Sequence, residues 1–332
     1  MQCEVRPIEL QLLRKFSVAG GSTFVKRNCL FIIDNLGIGE AAGSVKYGAQ
    51  AEQIELELAY AADVINRLQC DVEEWVRDNI SNMCSPAACA ISTAYSDYLC
   101  KQNNQSLYEF YELEKPEPKP TSVTVSLGDE KAIQRFIEYG NRILKIKMDA
   151  DEERGQAIID TINNSENVLY RIDANESWTP KFARQFISKV DAAKVEMIEQ
   201  PFSSADAASW KKFGKKTDIP LFMDESLDNP VDIDDVADFI DGVNVKIQKS
   251  GRLEKSIMMM RRAKDCGLKT MLGCMIESSV GIATAYHLSS LADFVDLDGR
   301  LLIHEDGFSG LTYEGGAPST QDNYGHGVVF AK

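Results

Sequence analysis

The arrangement of hydrophobic and polar positions changes near residue 121, and each part of the chain predicts a different kind of structure. In the first part, residues 28–34 form an apolar, β-rich run, and a Gly-x-Gly turn at Gly37 and Gly39 is expected after it. Residues 49–69 and 87–101 carry apolar positions at helical spacing. These patterns predict a small α+β unit with an antiparallel sheet.

The segment 114–121 contains three prolines among charged residues, which is typical of a linker because proline fixes φ and lacks a backbone donor. Beyond it, short β-rich runs alternate with helical segments, a pattern that predicts parallel strands joined by helical crossovers. No Gly-rich phosphate-binding turn follows the first run, so a dinucleotide-binding fold is poorly supported. The predicted strands are residues 122–126, 142–148, 168–173, 195–199, 221–224, 243–247, 270–272 and 294–296.

Eight strand–helix units over this length fit a closed barrel better than an open doubly wound sheet. The predicted fold class is therefore α/β, a (β/α) TIM-like barrel with an α+β N-terminal unit. The predicted division places the α+β unit, which the resemblance described below implies to be a capping domain, at residues 1–117 and the barrel at residues 118–310.

Composition narrows the classes of function. The chain of 332 residues carries 51 acidic and 36 basic residues, a net charge of −15, so its field repels nucleic acid. Its 8 cysteines form no CxxC pair and its 3 histidines do not cluster with them, which argues against zinc. No stretch approaches 18 apolar residues and the first residues form no signal peptide, so we expect a cytoplasmic protein without a membrane span.

The strongest signal is one charged residue at the end of each of five successive predicted strands. Lys147, Asp173, Glu199, Asp224 and Lys246 follow one another at spacings of 22 to 26 residues, about one strand–helix unit each. In a parallel barrel these carboxyl-terminal strand ends form the active-site face. A single such residue would be read as a helix cap or a loop charge, but five in register indicate a site.

Three converging carboxylates repel one another unless a cation lies between them. A set of oxygen ligands without His or Cys favours Mg²⁺, so Asp173, Glu199 and Asp224 are the expected ligands of one Mg²⁺ per subunit. Removing a proton beside a carboxylate builds an enediolate, whose charge a divalent cation offsets.

Two lysines are expected to move that proton. Lys147 and Lys246 come from strands on opposite sides of the metal site, so each can reach one face of a bound carbon. A lysine base near neutrality needs a lowered pKa, which a neighbouring cation and partial burial provide. Lys145 shares a strand face with Lys147. Together with Lys249 and Asn175, it is expected to support this catalysis.

The chain resembles the enolase superfamily, in its muconate-lactonizing subgroup. The motifs that carry the resemblance are KIK at 145–147, DAN at 173–175, EQP at 199–201, DES at 224–226 and NVKIQKSG at 244–251. The resemblance implies Mg²⁺ on the three carboxylates, acid–base work by the two lysines, and a capping domain completed by residues 311–332. The resemblance is also compatible with a homo-oligomer.

Within that family the chain resembles the dipeptide epimerases. The segment LGCMIESS at 272–279 resembles their loop after the seventh strand, and Asp296 and Asp298 resemble the acidic pair after the eighth. Two carboxylates there would bind the free ammonium of a dipeptide. The implied reaction is a 1,1-proton transfer at the α-carbon of the C-terminal residue. The remaining expected substrate-binding residues are Cys274, Met275, Glu277, Phe16 and Gly20.

Side-chain specificity is expected from segment 16–23, where some relatives place a basic residue for a glutamate side chain. This segment contains no Arg or Lys, which favours a second residue that is apolar or otherwise non-acidic. Lys15, Lys26 and Arg27 lie outside it and are interpreted as solvated strand charges. Arg300 is a departure from the family pattern and is expected either to touch substrate or to pair with an acid.

Several alternatives stay open. L-Ala-D/L-Glu epimerisation in cell-wall peptide recycling is the nearest. N-acylamino-acid racemisation, o-succinylbenzoate synthesis and cycloisomerisation follow, although their substrates lack the ammonium that the acidic pair would bind. A barrel that binds a peptide without catalysis is the most distant reading.

Overall fold

The computed structural model of the chain describes residues 1–18, 21–44, 49–68, 72–321 and 324–331. Its N-terminal part contains an antiparallel sheet in which β2 lies between β1 and β3. Helices pack on one face of this sheet around a separate hydrophobic core. The elements are β1 (Cys3–Val18), β2 (Gly21–Ile33), β3 (Gly37–Ala41), α1 (Ala51–Leu68), α2 (Val72–Asn79), α3 (Ser85–Asn103) and α4 (Leu107–Phe110).

The two glycines of β3 have a different role from the one that the sequence suggested. The turn before β3 is made by Asp34 and Asn35, whose φ values are 50° and 54°. Gly37 and Gly39 lie within the strand, where a Cβ atom would stand 2.3 Å from the Ala94 carbonyl oxygen and 2.0 Å from that of Ala90. The predicted Gly-x-Gly turn is therefore wrong, because these glycines permit close contact between β3 and α3.

A parallel barrel of eight strands in sequential order follows. Its strands are β4 (Val123–Val125), β5 (Ile143–Lys147), β6 (Leu169–Asp173), β7 (Val195–Glu199), β8 (Leu221–Met223), β9 (Gly242–Lys246), β10 (Lys269–Gly273) and β11 (Phe294–Asp296). Its helices are α5 (Lys131–Glu138), α6 (Glu152–Asn164), α7 (Pro180–Ile187), α8 (Ala207–Phe213), α9 (Pro230–Val236), α10 (Ile247–Ser250), α11 (Leu253–Asp265) and α12 (Ser279–Tyr286). The predicted barrel is confirmed, with each predicted strand present within about two residues at either end.

Side chains join the first and last strands of the barrel. No ladder pairs β4 with β11 within the described residues, but three hydrogen bonds cross this seam. The amide of Leu297 donates to Thr121 Oγ1 at 2.7 Å, Ser122 Oγ donates to Asp296, and the amide of Thr124 donates to Asp298 Oδ2 at 2.6 Å. The two aspartates after the eighth strand thus also take part in closing the barrel.

The β1–β2 hairpin reaches across the mouth of the barrel. Leu12 forms a bridge with Ile303, and the amide of Leu127, in the loop after β4, donates to the Ser17 carbonyl at 3.0 Å. Leu10 and Leu12 are buried with Ile276 and Ile303 from the loops that follow the last two strands. These contacts hold the N-terminal domain over the carboxyl ends of the strands, where the predicted site residues lie.

The C-terminal residues return to the N-terminal domain, and those that the structure describes add no strand to its sheet. β12 (Phe308–Ser309) pairs with β15 (Val329–Phe330), and β13 (Leu311–Glu314) pairs with β14 (Ala317–Thr320). Val328 is buried among side chains of the capping sheet. No helix in the described part of the chain has the length and apolarity that a membrane crossing requires.

Candidate active site

Register places the predicted site residues at one level of the barrel. Lys147 is the partner of Asp173 in the β5–β6 pair, and Asp173 is the partner of Glu199 in the β6–β7 pair. Asp224 follows the end of β8, and Lys246 ends β9. The structure therefore brings the five strand-end residues together at the mouth of the barrel.

Lys145 connects three carboxylates in the barrel interior. Its Nζ lies 2.6 Å from Glu199 Oε2, 2.7 Å from Asp296 Oδ2 and 3.1 Å from Asp173 Oδ2, and its side chain is only 2% exposed. Burial alone would favour the neutral amine, but the surrounding carboxylates raise the pKa of Lys145 well above its ordinary value. Lys145 is thus a fixed positive charge beneath the site.

Lys147 lies above this group and donates a hydrogen bond to Asp173 Oδ2. Although burial opposes ionisation of Asp173, the ammonium groups of Lys147 and Lys145 hold the pKa of this carboxyl below its usual range. Lys147 keeps 11% of its side chain exposed, against 2% for Lys145. Of these two lysines, Lys147 is therefore the one more open to a substrate.

Two lysines share the carboxylate of Asp224 on the opposite side. Lys246 Nζ lies 2.7 Å from Oδ2 and Lys249 Nζ lies 2.6 Å from Oδ1. The sequence led us to expect a lowered pKa for a lysine base beside a bound cation; with the carboxylates alone, the pKa of Lys246 is raised. Burial favours the neutral amine, yet Asp224, Glu199 and Asp173 outweigh it in this arrangement. Lys249 thus contacts the same carboxylate as Lys246, and the expectation that it supports this lysine stays a prediction.

The three carboxylates have the chemistry of a hard-cation site. All are fully buried, and burial together with the neighbouring Asp173 raises the pKa of Glu199 to about 7. Lysine ammonium groups contact all three carboxylates. In the described part of the chain, no cluster of three or more His, Cys, Asp or Glu side chains is arranged to hold a metal ion. Carboxylate oxygens are ligands that Mg²⁺ prefers. On binding the ion, these carboxylates would give up their contacts with the lysines.

Two polar residues that the sequence analysis did not name as site residues contact these strand ends, one at a carboxylate and one at the main chain. Asn244 Nδ2 donates to Glu199 Oε1 at 2.8 Å, and Gln200 Oε1 accepts from the amide of Asp224 at 2.8 Å. Asn244 stands two residues before Lys246 on β9, so the two-residue period of a strand could have identified it. Gln200 adopts a φ of 41°, a costly backbone conformation for a residue with a side chain.

Asn175 holds the neighbouring strand ends. Its Nδ2 donates to Glu225 Oε1 at 3.0 Å, and its amide donates to Asp173 Oδ1 at 3.0 Å. Asn175 has a φ of 43°, so this turn is also in the left-handed region. Asn175 therefore links Asp173, the first predicted metal ligand, to the strand end that carries Asp224, the third.

The acidic pair after β11 is buried. Asp296 bonds to Lys145 and Ser122, whereas the Asp298 carboxylate accepts from Thr124. Burial and the charge of Asp296 raise the pKa of Asp298 to about 6. Among the described residues, no lysine lies at salt-bridge distance from the Asp298 carboxylate, whereas Lys145 pairs with Asp296.

The loop after β10 forms the side of the mouth beneath the N-terminal domain. Cys274 and Met275 are half-buried, and burial raises the pKa of the Cys274 thiol well above its usual range. Glu277 is buried and accepts bonds from the Met275 amide at 2.7 Å and from Gln248 Nε2 at 2.9 Å. Burial and the neighbouring Glu40 raise the pKa of Glu277 to about 7, and Gln248 bonds to both Glu277 and the Glu40 carbonyl.

Other predicted substrate contacts are distributed along the hairpin. Phe16 packs against the cluster that contains Ile276. Gly20 lies outside the described residues. Arg300 pairs with Asp306 at 3.0 Å, in agreement with the expectation that it pairs with an acid. Lys26 is half-buried with its Nζ on the Gly43 carbonyl, so the interpretation of this lysine as a solvated strand charge is wrong.

Comparison with known proteins identifies the class. Residues 129–331 match the family model described as enolase C-terminal domain-like. The L-Ala-D/L-amino acid epimerase of Flavobacterium johnsoniae is 28% identical over 99% of both chains. The hydrophobic dipeptide epimerase of Roseobacter litoralis is 32% identical over 78% of each chain. The substrate-liganded L-Ala-D/L-Glu epimerase of Bacillus subtilis superposes with a TM-score of 0.86 at 26% identity, covering 100% of this chain and 99% of the other.

The protein is an enzyme of the isomerase class, built as a barrel with an N-terminal capping domain. The chain belongs to the enolase C-terminal domain-like family, and the resemblance to the enolase superfamily is confirmed.

Proposed function

We propose that the protein is a Mg²⁺-dependent dipeptide epimerase that inverts the α-carbon of the C-terminal residue. The proposal rests on the combination of two features at the mouth of the barrel. Lys147 and Lys246 flank three buried carboxylates, and a further carboxylate, Asp298, stands beside them. The relatives that are named dipeptide or amino acid epimerases support it.

In the proposed reaction, Asp173, Glu199 and Asp224 would hold Mg²⁺, which supplies a positive charge for the substrate carboxylate and its enediolate. Lys147 and Lys246 would face opposite sides of the α-carbon. One lysine removes the α-proton from one face and the other returns a proton to the opposite face. Lys145 remains protonated and does not exchange protons with substrate.

The dipeptide ammonium would bind at Asp298, with Asp296 behind it. A charge-assisted hydrogen bond to a buried carboxylate fixes the distance between the free amine and the reacting carbon. Substrates without this ammonium, such as N-acylamino acids, would leave Asp298 buried without a partner of opposite charge.

The proposal also concerns which side chain the enzyme accepts at the second residue of the dipeptide. The lack of Arg or Lys in segment 16–23 supports an apolar or other non-acidic residue. The half-buried Lys26 and the similarity to the L-Ala-D/L-Glu epimerase of Bacillus subtilis favour the alternative, an acidic residue as in Ala-Glu.

Replacing Asp298 by Asn should reduce kcat/KM for dipeptides by about 10- to 100-fold, because the ammonium loses a charged partner. The amide oxygen of Asn can still accept from Thr124, which preserves the seam of the barrel. The measurement compares a dipeptide with its N-acetylated form, which lacks the ammonium. Any turnover of the acetylated form should stay within about twofold of wild type.

Asp293→Asn is the matched control, because Asp293 pairs with Lys269 away from the mouth and its loss should leave both substrates unaffected. Equal losses on the dipeptide and on its acetylated form after Asp298→Asn would contradict the ammonium role and favour an N-acyl substrate.

A further inference from the structure

The three carboxylates that contact Lys145 are not equivalent. Asp173 and Glu199 end the neighbouring strands β6 and β7, and both are predicted Mg²⁺ ligands. Asp296 ends β11, at the seam that side chains close between β4 and β11, and is not one of the predicted ligands. Lys145 Nζ therefore contacts the predicted metal site and, in addition, one carboxylate outside it.

Asp296 is anchored to the barrel by contacts that do not involve Lys145. Its Oδ1 accepts from Ser122 Oγ, whereas its Oδ2 lies 2.7 Å from Lys145 Nζ. The buried Arg171 supports this anchor, because its Nη1 donates to Ser122 Oγ at 3.4 Å and to the carbonyl of Val295 at 2.6 Å. One oxygen of Asp296 is thus held by the barrel, and the other faces the ammonium of Lys145.

Binding of Mg²⁺ would change the surroundings of Lys145. Asp173 and Glu199 would give up their contacts with its ammonium, and the side chain of Lys145 is only 2% exposed. A buried ammonium that loses its counter-charge is costly, and a dication beside it increases the cost. Lys145 must then either keep one of the metal ligands, in competition with Mg²⁺, or stay paired with Asp296.

We propose that Asp296 is a positioning residue that keeps Lys145 paired when Mg²⁺ binds, and that it thereby sets the affinity of the site for the metal. The inference rests on the Mg²⁺ site of the proposed function. It separates the roles of the acidic pair after β11. Asp296 acts through Lys145, and Asp298, which has no lysine at salt-bridge distance among the described residues, is left for the substrate ammonium.

The test is a calorimetric titration of the purified protein with Mg²⁺ in the absence of substrate. Asp296→Asn should raise the Kd for Mg²⁺ by about tenfold or more, because the amide cannot compensate Lys145, whose ammonium then competes for Glu199. Ser122→Ala keeps both charges and removes only the anchor of Asp296. It should raise the Kd in the same direction by about threefold, and it keeps the test decisive if Asp296→Asn does not fold.

Asp298→Asn is the matched control. It removes one buried carboxylate from the same strand end, so a general loss of negative charge would weaken Mg²⁺ binding to a similar extent in both Asn variants. We expect the Kd of Asp298→Asn to stay within about twofold of wild type. Equal increases in the two Asn variants, or no increase in Asp296→Asn, would overturn the inference.

A double-mutant cycle tests whether Asp296 acts through Lys145. In a Lys145→Met background, Asp296→Asn should change the Kd for Mg²⁺ by no more than about twofold, because the ammonium that it compensates is gone. The same increase with and without Lys145 would show that Asp296 acts on the metal site directly, and would overturn the inference.

The two proposals fail in different ways, since the titration contains no substrate. If dipeptides exchange their α-proton but Asp296→Asn binds Mg²⁺ as wild type does, the inference on Asp296 falls and the epimerase proposal stands. If the Kd for Mg²⁺ rises selectively in Asp296→Asn but no dipeptide exchanges its α-proton, the epimerase proposal is contradicted and the inference stands.

Discussion

Replacing either Lys147 or Lys246 by Met should abolish epimerisation, with kcat falling by about 10²- to 10⁴-fold. Each lysine extends from a different side of the carboxylate group, Lys147 beside Asp173 and Lys246 beside Asp224. Removing one leaves one face of the α-carbon without a proton donor or acceptor. Met keeps a similar length and apolar volume, so the effect reports on proton transfer.

Isotope exchange separates the two roles. In D₂O each Met variant should still exchange the α-proton of one epimer, because the remaining lysine can remove and return a proton on its own face. The two variants should retain exchange on opposite epimers, which assigns each lysine to a face. Epimerisation at the wild-type rate in either variant would show that the residue replaced is not an essential base.

Lys145→Met should be the most destabilising single substitution at the site. It removes the ammonium that contacts Asp173, Glu199 and Asp296 in the barrel interior. Removing one partner of a buried ionic group costs about 3–5 kcal/mol of unfolding free energy, since the remaining charges are left uncompensated. Denaturant unfolding in EDTA measures the loss, and added Mg²⁺ should recover part of it by supplying positive charge to the same carboxylates.

Lys181→Met provides the comparison for a surface ion pair. Lys181 pairs with Glu152 at 3.3 Å, with 71% and 70% of the two side chains exposed. Such a pair contributes at most about 1 kcal/mol. A loss in Lys145→Met as small as that in Lys181→Met would contradict the account of Lys145 as the charge that holds the carboxylates together.

The sequence was sufficient to predict the barrel because the signal repeats. Five successive strand–helix units each place one charged residue at the same level, as Lys147, Asp173 and Glu199 illustrate. Strand register then follows from burial of the alternate apolar side chains, such as Leu144 and Ile146 on β5. In the structure, these strand ends lie together at the predicted level of the barrel.

Contacts between distant segments could not be predicted in this way. Gln248 donates to the carbonyl of Glu40 and to Glu277, and thereby joins the capping domain to the barrel. Nothing in the local pattern around Gln248 indicates partners 208 and 29 residues away. Long-range packing of this kind depends on how the two domains meet.

The environment of Lys26 could not be predicted for a related reason. A charged residue on an alternating strand is typically solvated, and the local pattern does not indicate that the Gly43 carbonyl accepts from Lys26. Likewise, sequence does not reveal that each of the three carboxylates contacts an ammonium, an arrangement in which the pKa of Lys246 is raised.

The most direct test of the central claim is proton exchange at the α-carbon of dipeptides. The purified protein would be incubated with Mg²⁺ in D₂O and a library of L-L dipeptides, and the products analysed by mass spectrometry. We expect a mass gain of about one unit, confined to the C-terminal residue and abolished in the Lys147→Met, Lys246→Met double variant. The absence of exchange on every dipeptide, with Mg²⁺ shown to be bound, would contradict the epimerase proposal and point to N-acyl or cyclic carboxylate substrates.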